Sequence, residues 1–276
     1  MQSQMATESS EGYWNGPERS SKIMRRVLCD WAAGIAAAFT VSPIIMTVDK
    51  AVVESTSGSK SVWRSAQATV LGIVKSPIKF FVSREFGWIF FVYGSTYMAA
   101  NSIDSLCKIT HTSDILPKLI GVTAVNMTAS ILKDRAFAYY FGRKVNNKVG
   151  SISLLLWLLR DALTMAAAFV IPSRASKLIQ EAGLPKEKAD KFSLFSFPVL
   201  FQLFLTPIHL LGYDFYNYKE RAFKERISYL KPMYLSTVGI RMIRMGSAYG
   251  IGGVNNKNFR DRMISRYEGS TWDRSY

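Results

Sequence analysis

Residues Trp31–Val48 read WAAGIAAAFTVSPIIMTV, eighteen in a row without a charge. A helix crosses the hydrocarbon of a bilayer with about 20 apolar residues, and about 17 is the lower limit. Two further runs meet that length: Phe86–Ile103, again eighteen residues, and Phe192–Tyr213, twenty-two. Three such runs in a chain of 276 residues, 49% of them hydrophobic, are hard to fit into a soluble core. The alternative is an all-helical soluble protein with long buried helices. Weaker runs lie between the strong ones. Leu119–Leu132 is short, Ser151–Ser173 is interrupted by Arg160 and Asp161, and Pro232–Asn256 by Arg241 and Arg244. A charge in hydrocarbon is costly unless paired or solvated, so these residues are expected to face protein or water. The pattern predicts an all-α membrane protein with six transmembrane helices.

The net charge of +15 is unevenly placed. The connections after the first, third and fifth helices carry Lys50, Lys60, Arg64, Lys75, Lys79 and Arg84, then Lys133, Arg135, Arg143, Lys144, Lys148 and Arg160, then Lys219, Arg221, Lys224, Arg226 and Lys231. Six helices put these three connections on one side of the membrane. Loops around 104–118 and 174–191 on the other side are nearly balanced. Positive loops mark the side where the potential is negative, which leaves both termini in the opposite compartment. The basic loops explain the charge without nucleic acid, for which no binding motif is present. Within the first connection Ser55–Ser61 reads as a flexible link, and Trp63–Phe81 as an amphipathic stretch suited to the membrane interface or to packing on the bundle. Cys29 and Cys107 support neither a disulfide framework nor a metal site. Glu8, Glu11 and Glu18 make the first residues unlike an acid-poor presequence, so any organellar address is expected to be internal.

The odd-numbered helices repeat a pattern. Gly34 precedes Pro43 by nine residues, Gly121 precedes Ser130 by nine, and Pro198 precedes Pro207 by nine. The even-numbered ones each open near an arginine, Arg84, Arg160 and Arg244, followed by small residues that let helix backbones approach. This predicts three units, 27–110, 111–184 and 185–256, between polar tails 1–26 and 257–276.

With Ala33, Gly34, Pro43, the Leu159-Arg160-Asp161 step and the Arg241/Arg244 pair, the chain resembles the mitochondrial carrier family. The resemblance implies a six-helix barrel with threefold pseudo-symmetry, kinked at its prolines, in the mitochondrial inner membrane with both termini in the intermembrane space. The family's signature P-x-[DE]-x-x-[KR] is not kept. Its slots hold Pro43, Ile45 and Val48, then Ser130, Leu132 and Arg135, then Pro207, His209 and Gly212. Asp49-Lys50, Lys133-Asp134 and Asp214 lie nearby but about 100° round the helix from the slots, where a solvated face is expected rather than a shifted gate. His209, without a carboxylate one turn away, is expected to be structural.

No arrangement for nucleophilic, acid–base or metal chemistry occurs, and Gly250–Gly253 follows no strand as a nucleotide loop would, so no enzyme, cofactor or metal is expected. Two functions remain. The lost gate, together with Phe259, Tyr267, Trp272 and Tyr276 in the C-terminal tail, points to a non-transporting accessory subunit of a respiratory inner-membrane complex, whose partners would be other subunits and the bilayer, with cardiolipin at the basic loops. The alternative is a divergent carrier exchanging an anionic metabolite, bound by Arg84, Arg135, Arg160, Arg241 and Arg244. A carrier-derived insertion factor of the outer membrane is a third possibility.

Overall fold

The computed structural model describes residues 17–143 and 149–268. The first sixteen residues, Lys144, Lys148, Trp272 and Tyr276 therefore lie outside the described part. Every regular element among the described residues is helical. In order these are α1 (Pro17–Thr56), α2 (Val62–Lys75), α3 (Pro77–Phe81), α4 (Arg84–Ile109), α5 (Ile115–Phe141), α6 (Ser151–Phe169), α7 (Ile171–Glu181), α8 (Lys186–Leu200), α9 (Gln202–Asn217), α10 (Phe223–Leu230), α11 (Tyr234–Gly246) and α12 (Gly253–Glu268). A π-helical turn, Ser247–Gly252, joins the last two.

These helices make six rods: α1, α4, α5, α6 with α7, α8 with α9, and α11 with α12. Each rod packs on the next, and the sixth returns to the first. Four stretches are long and apolar enough to cross a membrane: Ser21–Thr56, Ile115–Phe141, Ser151–Ala168 and Lys186–Asn217. The six spans expected thus reduce to four by this criterion, for a compositional reason. Helix α4 has 26 residues, but Trp88, Tyr93, Ser95, Thr96, Tyr97 and Asn101 dilute its apolarity. The sixth rod carries Arg241 and Arg244.

Residue placement is the reverse of a soluble bundle. Leu28, Trp31, Ile35 and Phe39 form an exposed stripe at helical spacing on α1, and Ile152, Leu155, Leu159 and Leu163 form another on α6. Asp49, Lys133, Asp134, Arg160 and Arg241 are buried between the rods. Exposed apolar stripes of this length are matched to hydrocarbon, not to water.

Local chemistry sets the joints. Ser83 caps α4 by accepting from Phe86 N at 3.2 Å. Helix α1 ends into Gly58 at φ +78, a left-handed position that favours glycine. Glu54 then draws α2 back onto α1, accepting from Ser65 Oγ at 2.7 Å in a buried contact. Helix α2 buries the small residues Ser65, Ala66 and Thr69 and exposes Trp63, Val70, Leu71 and Val74. Gly34 marks the closest approach of α1 and α4, since a Cβ there would lie 2.9 Å from the backbone nitrogen of Met98. Gly121 faces only the flexible tip of Ile103. Pro43 sits inside an unbroken α1, whereas the fifth rod breaks at Phe201, just after Pro198. The expected C-terminal tail is helical from its start at Lys257 as far as Glu268, because α12 continues the sixth rod and packs along α1.

Candidate functional site

The interior of the bundle holds a chain of ion pairs. Asp49 on α1 takes Lys133 Nζ from α5 at 2.7 Å on one oxygen and approaches Arg244 Nε from α11 at 2.8 Å on the other. Lys133 also meets Asp134 at 2.5 Å. The second oxygen of Asp134 takes Arg160 Nη2 from α6 at 2.6 Å, and its first accepts from the Tyr213 hydroxyl of α9 at 3.0 Å. Arg160 further contacts Asp161 at 2.7 Å and donates Nη1 to His209 Nδ1 at 2.7 Å. A guanidinium only donates, so His209 accepts on Nδ1. Five rods are tied by these contacts, and the ring of Tyr93 on the remaining rod lies 5.8 Å from the Arg244 guanidinium.

Sequence neighbours feed this network because they diverge. Lys133 and Asp134 are about 100° apart round α5, so one side chain reaches α1 and the other reaches α6 and α9. The charges expected on a solvated face are instead buried and paired across helices. Asp214 behaves differently: it takes Arg221 and Arg226 at 2.5 Å each, within the bend that leads to α10. In that bend burial, and then the neighbouring Tyr218, push the Tyr229 phenol up to about 12.

Beside the network lies a cavity of ≈150 Å³. Its charged wall is Arg160, Asp161, Arg241 and Arg244, and its opposite wall includes Tyr93, Thr96, Tyr97 and Asn126. Among the described residues Arg241 is held by Gln202 alone, whose Oε1 accepts from Nε at 3.1 Å and Nη2 at 2.9 Å. Gln202 is aimed by the helix break, its amide donating to the Pro198 carbonyl at 3.0 Å. Asp161 Oδ2 and Arg160 Nε are enclosed without a hydrogen-bond partner among the described residues. The π-helical turn shapes one edge of the cavity: Tyr97 donates to Ala248 O at 2.8 Å. A Cβ on Gly252 would lie 2.0 Å from the Tyr97 hydroxyl, so only glycine fits there.

A second network closes the other end. Arg260 on α12 reaches Asp30 at 2.6 Å and Asp104 at 2.5 Å, and Lys118 meets Asp104 at 2.5 Å. Asn101 and Asn256 exchange side-chain hydrogen bonds of 2.8 Å. Asp30 and Asp49 are nineteen residues apart on α1, roughly 28 Å along its axis. The cavity lies between, its α4 lining ending at Ala100, next to Asn101.

The residues proposed from sequence divide accordingly. Arg160, Arg241, Arg244 and Ser130 meet at the cavity. Arg84 and Arg135 are exposed, and Arg84 lines a shallow surface groove with Trp88 and Tyr140. Pro207 leaves the Leu203 carbonyl without its helical donor, and the Tyr234 hydroxyl takes that place at 2.8 Å. Asp161 was read as a charge interrupting an apolar run but not as a binding group, and Gln202 and Asn126 went unnoticed. Their signal was a polar group inside an apolar run, which the two arginines drew to themselves.

A family model described as the probable citrulline exporter matches residues 32–264, most of the chain. The chain belongs to that family. No curated protein and no solved structure matches it. The resemblance to mitochondrial carriers is thereby overturned. Its Gly, Ala and Pro spacings are explained by packing needs common to membrane helices, as at Gly34 against α4. The accessory respiratory subunit is overturned with it, because the family description names transport, and the apparent loss of paired charges does not hold in the fold. The mitochondrial inner membrane and the intermembrane-space termini rested on that resemblance, whereas the four long apolar helices and the exporter family fit a multi-pass membrane protein. The description of that family is one of transport.

Proposed function

We propose that the chain is a six-span membrane transporter that exports citrulline or a closely similar neutral amino acid through its central cavity. The observation that carries this is the cavity itself: a charged, partly unsatisfied pocket enclosed by helices whose outer faces are apolar. Membership in the family of the probable citrulline exporter supplies the substrate class. Helix α4, with 26 residues, is about 39 Å long and exceeds the ~30 Å hydrocarbon, and α11 with α12 is longer still. In a bilayer all six rods then span, as three helix pairs, 27–110, 111–184 and 185–256, the last prolonged by α12. Helices α2 and α3 lie along the interface, with Trp63, Val74 and Ile78 in the lipid and Arg64, Lys75 and Lys79 at the headgroups.

Purified protein in liposomes preloaded with labelled citrulline tests the proposal. Efflux above that of protein-free liposomes, competed by unlabelled citrulline outside, is the expected result. Efflux equal to the protein-free control overturns it.

A further inference from the structure

We infer that the cavity reads both charges of an α-amino acid, Arg241 taking the carboxylate and Asp161 the ammonium, and that its remaining positive charge rejects a cationic side chain. The inference rests on the export reading above and assigns the residues that select the solute.

Arg241 is 2% exposed, yet no carboxylate lies within ion-pair distance of it among the described residues. Gln202 occupies Nε and Nη2, so Nη1 is left to donate. A buried guanidinium with a neutral partner is incomplete, and an entering carboxylate completes it. Asp161 has the opposite deficit. It is 7% exposed, its Oδ1 meets Arg160, and its Oδ2 has no donor. An ammonium brings three donors and no acceptor, the complement of that oxygen. Both residues line one cavity, from α6 and α11. A simple anion would satisfy Arg241 and leave Asp161 orphaned. A zwitterion satisfies both.

The surrounding balance then selects the side chain. Lys133, Arg160, Arg241 and Arg244 stand against Asp49, Asp134 and Asp161, an excess of one positive charge. A neutral zwitterion leaves that balance unchanged, whereas the guanidinium of arginine or the second ammonium of ornithine adds a like charge. Arg160 Nε also lacks an acceptor. A ureido group presents a carbonyl oxygen to such a donor, and a guanidinium presents none.

Equilibrium binding to purified protein in detergent, read by displacement of labelled citrulline, tests this with a ligand series on the unaltered protein. N-acetylcitrulline, which lacks the ammonium, is expected to bind about tenfold or more weakly, and citrulline amide, arginine and ornithine likewise. Asp161→Asn is expected to abolish the preference for citrulline over N-acetylcitrulline, and Arg241→Gln the preference over citrulline amide. Equal binding of citrulline and N-acetylcitrulline by the unaltered protein overturns the inference without any variant. A preference that survives both substitutions in folded, monodisperse protein overturns the residue assignment while export stands. If citrulline neither binds nor leaves the liposomes, the export reading falls. The same two-charge requirement with another neutral amino acid as labelled ligand, lost in Asp161→Asn and Arg241→Gln, would still uphold the residue assignment.

Discussion

Asp49 and Lys133, eighty-four residues apart, meet at 2.7 Å in the interior of the bundle, each almost fully buried. Asp49 also faces Arg244, so one carboxylate serves two cations from two other helices. Removing one partner of a buried pair leaves an uncompensated charge, which costs about 3–5 kcal/mol. Lys133 keeps Asp134 when Asp49→Asn is made, but Arg244 loses its carboxylate, whereas Lys133→Met leaves Asp49 with Arg244 and Asp134 with Arg160. Thermal unfolding in detergent should therefore rank Asp49→Asn as the more damaging, with the double variant less damaging than the sum. Equal and additive losses would contradict the network.

Gly252 faces the Tyr97 hydroxyl so closely that no side chain fits. Gly252→Ala should destabilise by about 1–3 kcal/mol, as overpacking does. Tyr97→Phe removes the offending oxygen, so the pair Gly252→Ala/Tyr97→Phe should recover part of the loss. A melting temperature unchanged by Gly252→Ala would contradict the close approach.

Arg84 and Arg135 are exposed and stand outside the cavity. Replacing either by alanine should alter citrulline binding by no more than about twofold, the range of ordinary surface substitutions. A tenfold loss in the same displacement assay would move the solute path toward them.

Trp63 is 51% exposed on the outward face of α2. As the single tryptophan of an otherwise Trp→Phe protein, its fluorescence should be quenched by lipids brominated near the headgroup. Quenching by an aqueous quencher alone would place α2 off the membrane.

At the far end, Arg260 joins Asp30 and Asp104. Arg260→Gln should lower stability by about 2 kcal/mol, the scale of a hydrogen bond to a charged group. Asp104→Asn in the same background should add less than it does alone, because the two residues share the interaction. Full additivity by thermal unfolding would show that they act separately.

The helices of this protein were legible in its sequence because their signal is local. Trp31–Val48 and Phe192–Tyr213 are apolar along their whole length, and a bilayer asks little more of a spanning segment. The burial expected for Arg160, Arg241 and Arg244 followed from the same reasoning, since a charge inside an apolar run has to face protein or water. Partners were not legible. Asp49, Lys133 and Asp134 looked like charges at a membrane edge, because sequence spacing specifies direction on one helix and not which helix stands opposite. Small-residue spacings misled for a related reason: Gly34 reports a close neighbour without saying that it is Met98.

Sequence by itself thus determined an all-helical chain with long apolar runs and with Arg160, Arg241 and Arg244 turned to protein or water, through hydropathy and helical period alone. The tertiary structure alone decided that Asp49 would meet Lys133 and Arg244, that Gln202 would hold Arg241, and that Asp161 would share its cavity. Those meetings join helices from distant parts of the chain, and only packing brings such residues to within a hydrogen bond of one another.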